Sequence, residues 1–97
     1  MAYTYILICR DGTYYTGAAL NWERRLREHQ QGKAARYTRS RLPVFIVYLE
    51  EWSSLSEALQ REAQIKKLTR KQKEQLIASS NNVEPKTYIK KADFGKE

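Results

Sequence analysis

One cysteine, one histidine, two prolines and four glycines are all that 97 residues contain of those types. The lone Cys9, set in an apolar run, cannot close an internal disulfide. With His29 the sole imidazole, a multi-cysteine zinc centre is excluded as well. Long apolar runs are missing too. None approaches the length that spans a bilayer, so no membrane partner is expected. Met1-Ala2-Tyr3 leads straight into a strand-like pattern rather than a leader, and the expectation is a soluble, cytoplasmic protein. No internal repeat is present.

Acid is the other shortage. Eleven acidic residues against eighteen basic ones leave a net charge of +7. Between Arg24 and Arg41 seven basic residues accompany a single acid, Glu28. Lys66, Lys67, Arg70, Lys71 and Lys73 form a second block with no acid inside it. Clusters of this kind are the footprint expected for a phosphate backbone. For either block alone a solubilising surface is the commoner explanation. Two in so short a chain favour nucleic acid, ahead of an anionic membrane surface.

What is present suffices for one domain with one modest core: 41% of residues are hydrophobic and 11% aromatic, which argues against disorder. Residues 2–9, AYTYILIC, are β-branched and aromatic and predict a first strand. After Arg10-Asp11-Gly12, TYYTGAA at 13–19 predicts a second. Asn21 is an N-cap for a helix over about 22–31 that Gly32 ends. Lys33 to Leu42 reads as a basic loop. Pro43 opens a third strand, VFIVYLEEW, whose apolar run implies burial on both faces. Capping boxes at Ser54–Glu57 and Thr69–Gln72 start two further helices, ending near Leu68 and Ala78. The pattern β-β-α-β-α-α predicts an α+β domain over residues 1–78, a small three-stranded antiparallel sheet flanked by helices. The polar stretch 79–97 is expected to be a flexible tail.

Two helical positions conflict with their surroundings. Trp22 and Leu26 define the apolar stripe of the first helix, and Arg25 and His29 fall on it. Arginine is rarely buried without a partner, so snorkelling for Arg25 and a satisfied histidine are the bland alternatives. On the next helix Leu55, Ala58, Leu59 and Ile65 draw the buried face, with Glu62 in its middle. A carboxylate there needs a cation, a donor or a metal; an ion pair with Arg25 or Lys66 competes with a Mg²⁺ ligand. The hairpin leaves two registers open. A two-residue Asp11-Gly12 loop would put Tyr5 on the same face as Tyr14. A three-residue loop with Gly12 left-handed would line Tyr3, Tyr5, Tyr15 and Gly17 on one face.

These residues together resemble the GIY-YIG nuclease domain. Tyr3-Thr4-Tyr5 stands at its first motif, retaining the final tyrosine, and Tyr15-Thr16-Gly17 at its second, with threonine in the middle place. Arg25 and His29 match the helix arginine and a frequent histidine, and Glu62 in EALQREAQIKKL the metal-binding glutamate. GKAARYTRSRLP is similar to the loop of short stand-alone bacterial members and of catalytic subunits of structure-specific endonucleases. The resemblance covers about residues 3 to 77. It implies a Mg²⁺- or Mn²⁺-dependent endonuclease that hydrolyses DNA phosphodiester bonds, in repair or recombination. Glu62 would hold the metal, Arg25 the phosphoryl charge, and Tyr5 or Tyr15 would take the proton of water. His29 would orient the phosphate or relay a proton. Gly17 would let backbone approach substrate, while Lys33, Arg36, Tyr37, Thr38, Arg39 and Arg41 would hold flanking phosphates. The rival expectations are a non-catalytic nucleic-acid-binding module with the same fold, and an accessory subunit that docks a protein partner.

Overall fold

Strands β1 (Ala2–Ile8) and β2 (Tyr14–Ala19) form the hairpin, and its turn decides which tyrosines meet. In the computed structural model, which describes residues 1–79, Tyr5 pairs with Gly17 and Leu7 with Tyr15. The Cys9 N–H donates to the Thr13 carbonyl at 2.9 Å, and the Gly12 N–H to the Cys9 carbonyl at 2.9 Å. The loop is therefore the three-residue one, with Gly12 at φ 82°. Asp11 secures it by accepting from both the Thr13 backbone N–H and the Thr13 hydroxyl.

Strand β3 (Phe45–Trp52) lies antiparallel on the other side of β1, giving the order β2-β1-β3. Its register slips between Ile6 and Leu7 of β1. The bulge puts the consecutive residues Val47 and Tyr48 on one face, while Ile46 and Leu49 fill the other. The apolar run is buried on both faces because helices cover both. Helix α1 (Trp22–Gln30) packs Leu26 and Trp22 against Tyr5, Leu7, Cys9 and Leu49. Helices α3 (Leu55–Lys66) and α4 (Arg70–Ile77) cover Ile6, Ile8, Val47 and Tyr48 through Ile65, Leu76 and Ile77, with Leu68 from the connection between them.

The helix ends follow the signals in the chain. The Asn21 side chain accepts from the Arg24 N–H. Gly32, at φ 75°, closes α1 in a Schellman turn: its N–H reaches the His29 carbonyl, and the Lys33 N–H the Glu28 carbonyl. Thr69 and Gln72 form the full capping box of α4. At α3 only half of the expected box exists. Ser54 accepts from the Glu57 N–H, but the Glu57 carboxylate turns to the hydroxyls of Ser53 and Ser54.

Two expectations change. The basic segment after Gly32 is not all loop but contains a short helix, α2 (Arg36–Arg39), so the order is β-β-α-α-β-α-α. On α3 the buried line is Ala58–Ile65, whereas Leu55 and Leu59 are 37% and 48% exposed. The helix is rotated by its anchor, the Thr4 hydroxyl, which donates to the Ala58 carbonyl at 2.7 Å in the core. The expected tail lies, from residue 80 onward, outside the described residues.

Gly12 occupies the left-handed region with open space around its missing side chain. Gly12→Ala should therefore destabilise through backbone strain alone, by about 1–2 kcal/mol, and denaturant unfolding measures it. An unchanged stability would mean that the loop relaxes to another turn.

Candidate active site

The three-residue turn places Tyr5 and Tyr15 on the same face of the sheet, beneath α1. Tyr5 lies across its cross-strand partner Gly17. A Cβ built on Gly17 would come within 2.4 Å of the Tyr5 hydroxyl oxygen and 2.6 Å of the ring carbon that bears it. The close approach that glycine allows here is to the Tyr5 ring, whereas the resemblance implies an approach to substrate; Gly17 itself is buried.

Over Gly17 the Tyr5 hydroxyl meets His29 Nε2 at 2.9 Å. His29 Nδ1 in turn lies 2.8 Å from the hydroxyl oxygen of Thr38 on α2. Tyr5 is 4% exposed, His29 1% and Thr38 0%. Thr38 is therefore not a phosphate ligand, because its hydroxyl points inward to the imidazole and to the Ala35 carbonyl. Tyr15 packs edge-on against the same imidazole, 5.1 Å between centroids, and stacks at 6.0 Å on Tyr37. The Arg41 guanidinium covers the outer side of Tyr37 at 3.8 Å, held by Asp11 at 3.0 Å and by the Tyr37 carbonyl. Arg41 is thereby a clamp on the site rather than a free cation for flanking phosphate.

Burial sets the protonation states. It lowers the His29 pKa to about 4, helped by the Arg25 charge and opposed by Glu28. It pushes the Tyr5 phenol far above its ordinary value; the Tyr15 hydroxyl and the charges of Glu62 and Glu28 add to the rise, and Arg25 opposes it. At neutral pH both are uncharged, which is the form a buried hydrogen-bonded pair prefers.

Arg25 does not point into the core. Its side chain is 45% exposed and pairs with Glu28 at 3.6 Å, the snorkelling outcome. It lines a cleft of about 450 Å³ between the β2–α1 corner and the start of α3, walled by Ala18, Leu20, Arg24, Leu55 and Leu59. Glu62 is not fully buried either. It is 18% exposed and meets Lys66 at 2.8 Å, so the ion-pair alternative with Lys66 describes its state here. The Glu62 charge nevertheless contributes to the rise of the Tyr5 pKa, and the Lys66 pKa is raised chiefly by its hydrogen bond to Glu62. Lys33, Arg36 and Arg39 border a separate open depression of about 380 Å³ behind Gly32 and have no ion pair among the described residues. Among those residues no three His, Cys, Asp or Glu side chains group as a ready metal cage, and no helix is long and apolar enough to cross a membrane.

The family model described as the GIY-YIG catalytic domain matches residues 1–75. The chain belongs to the GIY-YIG family. The GIY-YIG domain accounts for nearly all the described residues, and with it comes membership of a nuclease-type family that acts on nucleic acid. Similar small proteins include a UPF0213 protein of Syntrophus aciditrophicus, 58% identical over 77% of this chain and 87% of its own length. Another, from Clostridium perfringens, is 48% identical over 97% of this chain and all of its own. The solution structure of a UPF0213 protein from Bacillus halodurans shares the fold with a TM-score of 0.54, at 41% identity over 84% of this chain and 87% of that one.

His29 gives this GIY-YIG site a pH signature. The unfolded chain binds a proton near pH 6.5 and the folded one only near 4. Its contribution is complete above the higher value and is lost as pH falls towards the lower, because the unfolded state then holds the extra proton. From about pH 7.5 to about pH 5 the loss should reach roughly 2 kcal/mol. Denaturant unfolding of wild type beside His29→Gln measures it. Equal pH slopes would remove His29 as the source.

Proposed function

We propose that this protein is a divalent-metal-dependent endonuclease that hydrolyses DNA phosphodiester bonds, with Tyr5 and His29 as the proton-accepting pair. The observation that carries the reading is the 2.9 Å contact of the Tyr5 hydroxyl with a neutral imidazole, beside the half-exposed Arg25. A role in repair or recombination accords with the likeness to structure-specific endonuclease subunits.

A free phenolate is a poor starting point, since burial raises the Tyr5 pKa. The pair avoids one. Tyr5 takes a proton from the attacking water while giving its own to His29 Nε2, so the imidazolium stores the proton and no phenolate accumulates. The resulting hydroxide forms the new O–P bond. The P–O bond to the leaving group breaks, and that oxygen takes a proton from solvent. Arg25, at the cleft, offsets the charge that grows on the phosphoryl oxygens. The hydroxyl of Tyr15 has no partner among the described residues and is available to a phosphate oxygen. Lys33, Arg36 and Arg39 hold the flanking backbone.

Glu62 is the residue to hold Mg²⁺ or Mn²⁺. A single, partly exposed carboxylate fits an ion that keeps most of its waters and takes substrate phosphate as a further ligand. When bound, the ion supplies charge relief at the phosphate. The alternative is a binding module that does not cut, and the near-complete burial of Tyr5 and His29 is the observation that favours it.

Branched, flap, single-stranded and duplex DNA incubated with and without Mg²⁺ or Mn²⁺ separates the two readings. Binding without metal-dependent cutting on every substrate would select the binding module. Glu62→Gln should abolish metal-dependent cutting. It should change stability by less than about 1 kcal/mol, because Lys66 is 54% exposed and its pair weak. A variant that still cuts at the wild-type rate would take Glu62 out of the mechanism.

Binding strength tests the basic depression separately. Neutralising Lys33, Arg36 and Arg39 together should flatten the dependence of log affinity on log salt. On duplex DNA the slope falls by up to about 0.9 for each phosphate that the protein ceases to neutralise. An unchanged slope would turn this face away from the substrate.

A further inference from the structure

The hydrogens around His29 can be placed by counting. Three protons, on Tyr5, the neutral imidazole and Thr38, must be shared along one buried line of contacts. If the Thr38 hydroxyl donated to Nδ1, the imidazole proton would sit on Nε2 and point at the Tyr5 oxygen. The Tyr5 hydroxyl proton would then have no acceptor among the described residues, in a side chain 4% exposed. The other arrangement leaves none over. Thr38 donates to the Ala35 carbonyl at 3.2 Å, Nδ1–H donates to the Thr38 oxygen at 2.8 Å, and Tyr5 donates to Nε2 at 2.9 Å. A buried donor without an acceptor costs more than one made to a neighbour, so the second arrangement prevails.

We propose that Thr38 is the positioning residue that holds His29 in its Nδ1–H tautomer, leaving the Nε2 lone pair as acceptor for the Tyr5 proton. Thr38 touches neither substrate nor metal; it acts through His29. Its place on α2, between Arg36 and Arg39, makes the basic segment part of the proton-accepting machinery as well as a phosphate contact. The kinetic consequence rests on the nuclease reading above, whereas the tautomer does not. In the wrong tautomer Nε2 would already carry a proton and could not take one from Tyr5.

The chain's single histidine makes the test direct, since the imidazole nitrogen spectrum of labelled protein contains one ring. At neutral pH wild type should show a proton-bearing Nδ1 and a bare Nε2. Thr38→Val keeps the shape but removes the oxygen that accepts from Nδ1, and should move the ring to the Nε2–H form; Thr38→Ser should keep the wild-type pattern. In the cleavage assay Thr38→Val should lower kcat by roughly 100- to 10,000-fold at unchanged KM, with Thr38→Ser recovering most of it. Wild type protonated on Nε2, or Thr38→Val still protonated on Nδ1, overturns the proposal. A raised KM with kcat intact also overturns it, in favour of phosphate binding by Thr38. Should Thr38→Val not fold, the wild-type and Thr38→Ser spectra decide alone. If wild type cuts no DNA, the nuclease reading fails while the spectra still decide the tautomer.

Discussion

One imidazole, withdrawn from water, ties four elements of this fold together. His29 projects from α1, and its two nitrogens reach Tyr5 on β1 and Thr38 on α2 while its ring packs against Tyr15 on β2. Burial is tolerable because the ring is neutral and both nitrogens have partners. Several otherwise arbitrary features follow from that requirement. Gly17 must lack a side chain for Tyr5 to cross it. The hairpin must turn in three residues for Tyr5 and Tyr15 to share a face. The segment after Gly32 must fold back far enough to present a hydroxyl to Nδ1.

The basic residues of that segment divide into two kinds. Arg41 is committed to Asp11 and to the face of Tyr37, so its charge is partly neutralised and its stem braces the aromatic stack. Lys33, Arg36 and Arg39 stay on the outside around their own depression. Arg70 repeats the structural use on the far side of the hairpin, lying 4.7 Å above Tyr14 and donating to the Gly12 carbonyl. The turn that sets the register is thus gripped by Arg41 from the segment after α2 and by Arg70 from α4, and the charge that suggests a phosphate partner also stiffens the scaffold.

Much of this was legible in the chain because local signals and burial agree. The β-branched runs, the Asn21 and Thr69 caps and Gly32 mark elements whose ends the backbone itself dictates. The hairpin register was open because Asp-Gly serves either turn, and only the packing of Tyr5 over Gly17 selects one. α2 has no signal in the chain since four residues carry no helical periodicity, and a buried threonine flanked by Tyr37 and Arg39 reads as polar loop. Leu55 and Leu59 sit outside the buried face that their spacing predicts because a narrow stripe leaves the helix free to rotate, and the Thr4–Ala58 hydrogen bond fixes the angle from outside its sequence. Glu62 was recognisable as a carboxylate out of place, but its partial exposure depends on that same rotation.

Cys9 carries a different consequence. It is wholly inaccessible in the layer between sheet and α1, and burial raises its thiol pKa. Thiolate is the reactive form, so the folded protein is inert towards alkylating reagents at this residue. The core must open before the sulfur can react. The chain therefore carries an intrinsic clock: the labelling rate of its one cysteine reports how often the hairpin and α1 part, with no probe introduced and no competing thiol to subtract.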